Sequence, residues 1–156
     1  FEVSNDDLRH SLESFSGVEH RLEPVRTLNG IRYVNDSKAT NINAAWYALS
    51  SYDRPIVWIA GGRGDANDYT ALDDVVAQHV RAIVCIGEEG PAIFNHWCTS
   101  KRCVQAASLA EAVAIATSLA EADDVVLFSP ACKSFDMFDN FEHRGEAFKH
   151  VVTDME

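Results

Sequence analysis

The feature that most constrains this chain is a set of short, almost wholly apolar runs that alternate with helical patterns. The apolar runs cover residues 56–60, 82–86 and 125–128, with a weaker one at 103–106. Such runs are typical of strands that are buried on both faces of a parallel sheet. Helical spacing of apolar residues covers residues 72–80, 91–97, 109–119 and 140–152. This alternation predicts an α/β fold: a Rossmann-like open, mostly parallel sheet flanked by helices.

A β-hairpin is predicted to open the sheet. Residues that suit extended chain lie on both sides of Asn29-Gly30, which is a strong signal for a two-residue hairpin turn. Such a turn places Asp36 opposite Glu23, with Arg21 on the same face as Asp36. The hairpin is therefore expected to gather Arg21, Asp36 and Lys38 at one end.

Polar segments follow three of the predicted strands, at residues 36–41, 61–65 and 129–136. Ligands of open α/β sheets bind beyond the carboxyl ends of the strands, so these segments are expected to share one rim. The first segment also opens a predicted helix, whose N-terminal N–H groups favour anions, and it adds a carboxylate, an ammonium and two hydroxyls. The alternative is structural: Ser37 or Thr40 caps the helix, and Lys38 is a solvated charge.

The other two segments also allow two interpretations. Ser134 lies among Phe135, Phe138 and Phe141, which indicates either a loop anchored by aromatic side chains or a hydroxyl and backbone amides held rigidly for a carboxylate. The pattern Gly61-Gly62-x-Gly64 resembles a phosphate loop, but tight strand exits use glycine as well.

Composition and missing motifs exclude several classes of function. The 156 residues suit one domain, and a net charge of −11 argues against binding to nucleic acid or an anionic membrane. The four cysteines show no CxxC pair and the six histidines no ligand spacing, so reduced thiols and no metal site are expected. No GxxxxGK[ST] loop occurs, so the chain is not expected to use ATP alone. The start at Phe1 without an initiator Met indicates a piece of a longer protein.

Several motifs, in one order and spacing, resemble the C-terminal domain of the Mur ligases, in particular of the group that adds D-glutamate to UDP-N-acetylmuramoyl-L-alanine. They are His20-Arg21, Asn35-Asp36-Ser37-Lys38-Ala39-Thr40-Asn41, Gly61-Gly62, Ser129-Pro130-Ala131-Cys132, Ser134-Phe135-Asp136 and Asn140-Phe141-Glu142-x-Arg144-Gly145. The resemblance covers residues 17–156. It implies that residues 1–16 are the tail of a preceding central ATPase domain.

The resemblance also implies an activity: an ATP-dependent amide ligase of peptidoglycan synthesis, located in the cytoplasm. ATP phosphorylates the substrate carboxylate, and the D-glutamate amine attacks the acyl phosphate. A separate N-terminal domain holds the uridine nucleotide, and the central domain holds the P-loop and most Mg²⁺ ligands, so this fragment is expected to be inactive alone. The implied partners are UDP-N-acetylmuramoyl-L-alanine, D-glutamate, ATP and the protein's own N-terminal and central domains.

Residue roles follow from the same resemblance. Arg21 and Asp36 complete the nucleotide site, and Lys38 faces the phosphates as the catalytic candidate. The D-glutamate site is implied to contain Thr40, Ser134, Phe135 and Phe141.

One position departs from the family, which usually has a lysine just after the Gly-Gly, where it meets the amino acid's carboxylate. Here the loop has no lysine, and Arg63 is its only cation. Arg63 is therefore the candidate for that contact, since a guanidinium binds carboxylates bidentately; the alternative is a solvated arginine on a glycine loop. Two other functions stay open: a ligase for another amino acid, such as a folylpolyglutamate-type or other muramoyl-peptide enzyme, and a non-catalytic module that binds a small anion or a partner.

Overall fold

The computed structural model describes residues 17–156, and the predicted tail at residues 1–16 lies outside the described residues. The elements are β1 (Glu23–Leu28), β2 (Ile31–Asn35), α1 (Ile42–Leu49), β3 (Ile56–Gly61), a 3₁₀ helix (Tyr69–Leu72), α2 (Asp73–His79), β4 (Val80–Ile86), α3 (Gly90–Trp97), β5 (Arg102–Gln105), α4 (Leu109–Leu119), β6 (Val125–Phe128) and α5 (Phe141–Thr153). No helix in this part of the chain is long and apolar enough to cross a membrane.

The strands form one six-stranded sheet in the order β1-β2-β6-β3-β4-β5. Only β1 runs antiparallel to its neighbour, and the other four pairings are parallel. The predicted fold, a mostly parallel sheet opened by a hairpin, is therefore confirmed. Every residue of β3 and of β6 is buried, which explains why these strands lack polar alternation.

Helices cover both faces of the sheet, because successive side chains of a strand point to opposite sides. Trp58 of β3 belongs to the core beneath α1, α2 and α3, whereas Val57 and Ile59 belong to the core beneath α4 and α5. Phe148 of α5 stacks on Phe128 of β6, with their ring centroids 4.9 Å apart. The sheet is thus held between two apolar layers, which fixes the positions of the strand ends.

The hairpin turn is as predicted, but the register is not. Asn29 and Gly30 both have positive φ, at 53° and 80°, as a two-residue hairpin turn of the primed type requires. The pairing then shifts between Pro24 and Arg26, so that Glu23 lies opposite Asn35. The prediction that Asp36 lies opposite Glu23 is therefore wrong. The physical reason is a β-bulge next to Pro24, which has no N–H to continue the ladder.

The helices begin at side-chain caps. Asn41 Oδ1 accepts the Ala44 N–H at 2.9 Å at the start of α1, and Asn140 Oδ1 accepts the His143 N–H at 2.7 Å at the start of α5. Asn41, rather than Ser37 or Thr40, therefore caps α1. The two hydroxyls of the preceding segment are left for other contacts.

Candidate functional site

The three polar segments meet at one rim of the sheet. Asn35 ends β2 beside Phe128 of β6, and Phe128 lies beside Ile59 of β3. Backbone hydrogen bonds continue the contact beyond the strands, from Asp36 N to Phe128 O (2.8 Å) and from Gly61 N to Pro130 O (2.9 Å). The three segments therefore share one rim, as the sequence predicts.

The Gly61-Gly62 pair is explained by backbone packing. Both residues have positive φ, at 131° and 141°. A Cβ atom would overlap the Ile86 carbonyl at Gly61 and the Lys133 carbonyl at Gly62. The structural interpretation of this motif therefore suffices, because the close approach of two chain segments already excludes a side chain.

Arg144 links the segments of the rim through buried hydrogen bonds. This residue is 1% exposed, and its guanidinium donates to the Ser37 hydroxyl (2.9 Å), the Ser37 carbonyl (2.7 Å) and the Cys132 carbonyl (2.9 Å). The Ser37 hydroxyl in turn donates to the Phe141 carbonyl at 2.8 Å. Burial lowers the pKa of Arg144 to about 10, so the group stays charged at neutral pH. One side chain thus fixes the 36–41 segment, the 129–136 segment and the start of α5.

Two residues that the family resemblance assigns to a nucleotide site, Arg21 and Asp36, lie together at the rim. Arg21 and Asp36 line a cavity of about 140 Å³ with Tyr47 of α1. Asp36 is buried, and its carboxylate accepts from the Leu22 N–H (3.1 Å) and from the Ser129 hydroxyl (2.8 Å). Burial raises the pKa of Asp36 to about 6, although both hydrogen bonds and the charge of Arg21 oppose the change. Two of the three residues that the hairpin was expected to gather, Arg21 and Asp36, thus line one cavity, although the register on which that expectation rested is wrong.

Lys38, in the 36–41 segment, lies beside Phe141 at the start of α5. Its Nζ lies 5.9 Å from the centroid of the Phe141 ring, in a cation–π contact. Among residues 17–156 the ammonium has no carboxylate within ion-pair distance and no hydrogen-bond acceptor. It therefore remains available to an anion.

A second cavity, of about 380 Å³, lies at the start of α5. Four of the residues predicted for the amino-acid site line it, with Lys133, Asn140 and Glu142: they are Thr40, Ser134, Phe135 and Phe141. Ser134 is 2% exposed, yet within the described chain neither its hydroxyl nor that of Thr40 has a hydrogen-bond partner. The cavity thus offers two unengaged hydroxyls and two aromatic side chains, next to the N-terminus of a 13-residue helix.

Arg63 lies elsewhere. Its guanidinium donates to both carboxylate oxygens of Glu88, at 3.2 and 3.1 Å, and it lines neither cavity. Lys133, for which the sequence predicted no role, does line the larger one. An isolated antiparallel bridge joins Arg63 to Lys133. It brings together two backbone segments that are 70 residues apart in the sequence. Hydrophobic periodicity carries no signal for such a bridge.

The described residues offer few side-chain combinations that could hold a metal ion. Between residues 17 and 156, one group has suitable spacing: Glu19, His20 and Glu146. The Lys149 ammonium already lies 2.8 Å from Glu19 and 3.0 Å from Glu146. A bound lysine and an imidazole do not fit the oxygen ligands that Mg²⁺ requires.

Comparison with known proteins supports the sequence resemblance. Residues 20–132 match the family described as "Mur ligase, glutamate ligase domain". The UDP-N-acetylmuramoylalanine–D-glutamate ligase of Salinibacter ruber is 50% identical over 97% of this chain and 33% of its own length. The enzyme of the same name from Chloroherpeton thalassium is 51% identical over 95% of this chain and 32% of its own. The chain thus spans about a third of the length of the curated relatives it matches.

Solved structures share the fold. The UDP-N-acetylmuramate-alanine ligase MurC from Thermotoga maritima matches with a TM-score of 0.65 at 16% identity, over 99% of this chain and 34% of that one. FolC from E. coli, solved in complex with DHPP and ADP, matches with a TM-score of 0.66 at 19% identity, over 98% of this chain and 36% of that one. With the family match over most of its length, the chain belongs to the Mur ligase family, in its glutamate ligase domain.

Proposed function

We propose that residues 17–156 are the C-terminal, amino-acid-binding domain of a cytoplasmic ATP-dependent ligase that joins D-glutamate to UDP-N-acetylmuramoyl-L-alanine. Residues 1–16 then belong to the end of the central ATPase domain. The relatives at about 50% identity carry the name of this activity. In this reaction the alanine carboxylate takes the γ-phosphoryl group of ATP and ADP is released. The D-glutamate amine then attacks the carbonyl carbon of the acyl phosphate, and the amide forms as inorganic phosphate leaves.

The single observation that carries the proposal is the cavity of about 380 Å³ lined by Thr40, Ser134, Phe135 and Phe141. Hydroxyl donors and helix N–H groups suit a carboxylate, because bonds to an ionised acceptor are short and strong. A rigid rim holds these donors, since Arg144 fixes the segments that carry them. Holding the amino acid in one orientation is this domain's contribution to the rate, because ligation requires a near-attack geometry.

Arg21, Asp36 and Lys38 supply the nucleotide side of the proposal. A carboxylate suits ribose hydroxyls, and cations suit phosphates. Each oxygen of Asp36 accepts one hydrogen bond within the domain and keeps a lone pair for a further donor. Domain closure would bring these groups to ATP on the central domain.

The test is steady-state kinetics of the full-length enzyme with Thr40→Ala and Ser134→Ala. Each change removes one hydrogen bond to a charged group, worth about 1.5–3 kcal/mol. The KM for D-glutamate should therefore rise roughly ten- to hundredfold, and the KM for ATP should change much less.

Ser118→Ala is the matched control, because its hydroxyl donates to the Ile115 carbonyl on the exposed side of α4. Unchanged D-glutamate kinetics in both site variants would contradict the proposed amino-acid site. A wild-type enzyme that ligates a different amino acid would instead support a related ligase of the same fold.

A further inference from the structure

Lys133 is the cation of the amino-acid side of the rim. It lines the cavity of about 380 Å³ and also a neighbouring cavity of about 490 Å³, and Thr40 lines both as well. No other lysine or arginine of the described chain lines either cavity. The carboxylates of Asp65, Asp68 and Glu142 also border them. Lys133 therefore supplies the positive charge that an anionic ligand would meet in the lining of this cleft.

The backbone of Lys133 is fixed, whereas its side chain can move. Lys133 N donates to the Arg63 carbonyl at 3.0 Å, and Arg63 N donates to the Lys133 carbonyl at 2.8 Å. Arg144 holds the neighbouring Cys132 carbonyl. The Lys133 side chain itself is 46% exposed. The ammonium can thus reorient about an anchored Cα atom, which suits a group that must meet a ligand.

The present partner of Lys133 is a weak competitor. Nζ lies 3.1 Å from one Asp65 oxygen, and the Asp65 side chain is 75% exposed. Ion pairs this exposed contribute little, so another carboxylate can replace Asp65. Arg63, by comparison, is engaged by Glu88 through two hydrogen bonds. Of the two cations, Lys133 is the one both placed and available for a ligand.

We propose that Lys133 holds a carboxylate of the acidic amino-acid substrate beside the hydroxyls of Thr40 and Ser134. When the substrate binds, its carboxylate replaces that of Asp65 as the partner of the Lys133 ammonium. This inference rests on the proposed function, since it names the positive partner within the same amino-acid site.

The experiment uses the full-length enzyme and measures KM for D-glutamate and for ATP. Lys133→Met should raise the KM for D-glutamate about tenfold or more with a small change for ATP, because a charge-assisted bond is lost. Lys133→Arg should recover part of that loss, as it restores the charge. Asp65→Asn should lower the KM for D-glutamate, because it removes the competing carboxylate.

The matched control is Arg54→Met. Arg54 is similarly exposed, at 53%, and it pairs with an exposed aspartate, Asp123, next to the opposite ends of the strands. Arg63→Met tests the other candidate cation. A large rise in the KM for D-glutamate in Arg63→Met, with normal kinetics in Lys133→Met, would overturn the inference. The inference would also be overturned if Lys133→Met and Arg54→Met changed the KM for D-glutamate by the same factor. Wild-type enzyme without ATP-dependent use of D-glutamate would instead refute the proposed function, so the two failures are distinguishable.

Discussion

Replacing the buried carboxylate of Asp36 by an amide is predicted to stabilise this domain at neutral and alkaline pH. Asp36 is 4% exposed, and no lysine or arginine among residues 17–156 forms an ion pair with it. Its hydrogen bonds come from neutral donors, a backbone N–H and a hydroxyl. Burial therefore raises its pKa from 3.8 to about 6. Asn has nearly the same shape as the protonated acid and never ionises.

The magnitude follows from proton linkage. Between pH 3.8 and 6 the folded state binds more protons than the unfolded state, so stability falls as pH rises through this window. The favourable contribution is complete below 3.8 and is lost above 6. A difference of about 2 pH units, at about 1.4 kcal/mol for each, gives about 3 kcal/mol. Since the amide also loses charge-assisted bonds, Asp36→Asn should gain about 1–3 kcal/mol at pH 8.

Urea unfolding of the 156-residue chain at pH 4, 6 and 8 measures this effect. The advantage of Asp36→Asn over the wild type should grow from pH 4 to pH 8. Asp139→Asn is the control, because its carboxylate is 92% exposed and should show no such trend. A variant that is less stable than the wild type at pH 8, or a difference that does not change with pH, would refute the reasoning.

Four further outcomes are expected. Arg21→Ala and Asp36→Ala in the full-length enzyme should raise the KM for ATP with less effect on that for D-glutamate, as steady-state kinetics would show. Arg144→Met should cost about 2–4 kcal/mol in urea unfolding, because it leaves buried carbonyls without donors. Gly62→Ala should cost about 1–3 kcal/mol in the same assay, given its φ of 141° and the overlap with the Lys133 carbonyl. The 156-residue chain should unfold cooperatively but form no ligation product with D-glutamate and ATP, since it has no P-loop; measurable product would contradict this expectation.

The sheet could be predicted because burial on both faces leaves a direct mark in the sequence. A strand such as Ile56–Gly61, buried at every position, tolerates only apolar residues and glycine. The hairpin turn was equally readable, because Asn29 and Gly30 both adopt positive φ. The register was not, because a bulge depends on which backbone groups find partners, and the pattern of side chains does not record that.

The candidate site could be predicted in part. Strand ends placed the three segments on one rim, and the family resemblance selected Thr40 and Ser134 within them. Neither source pointed to Lys133, whose position depends on the bridge to Arg63 and on the space beside Thr40. Arg144 could be recognised as a motif residue, but its hydrogen bonds could not be predicted. Its acceptors include the backbone carbonyls of Ser37 and Cys132, and every residue type has such a carbonyl.

The rim contains two buried charges of opposite sign that do not neutralise each other. Asp36 is held by a backbone N–H and a hydroxyl, and Arg144 by two carbonyls and a hydroxyl. Burial acts against both, since it raises the pKa of the acid and lowers that of the arginine. At neutral pH the charged form of Asp36 therefore costs the fold stability, and the pH dependence of Asp36→Asn measures how much.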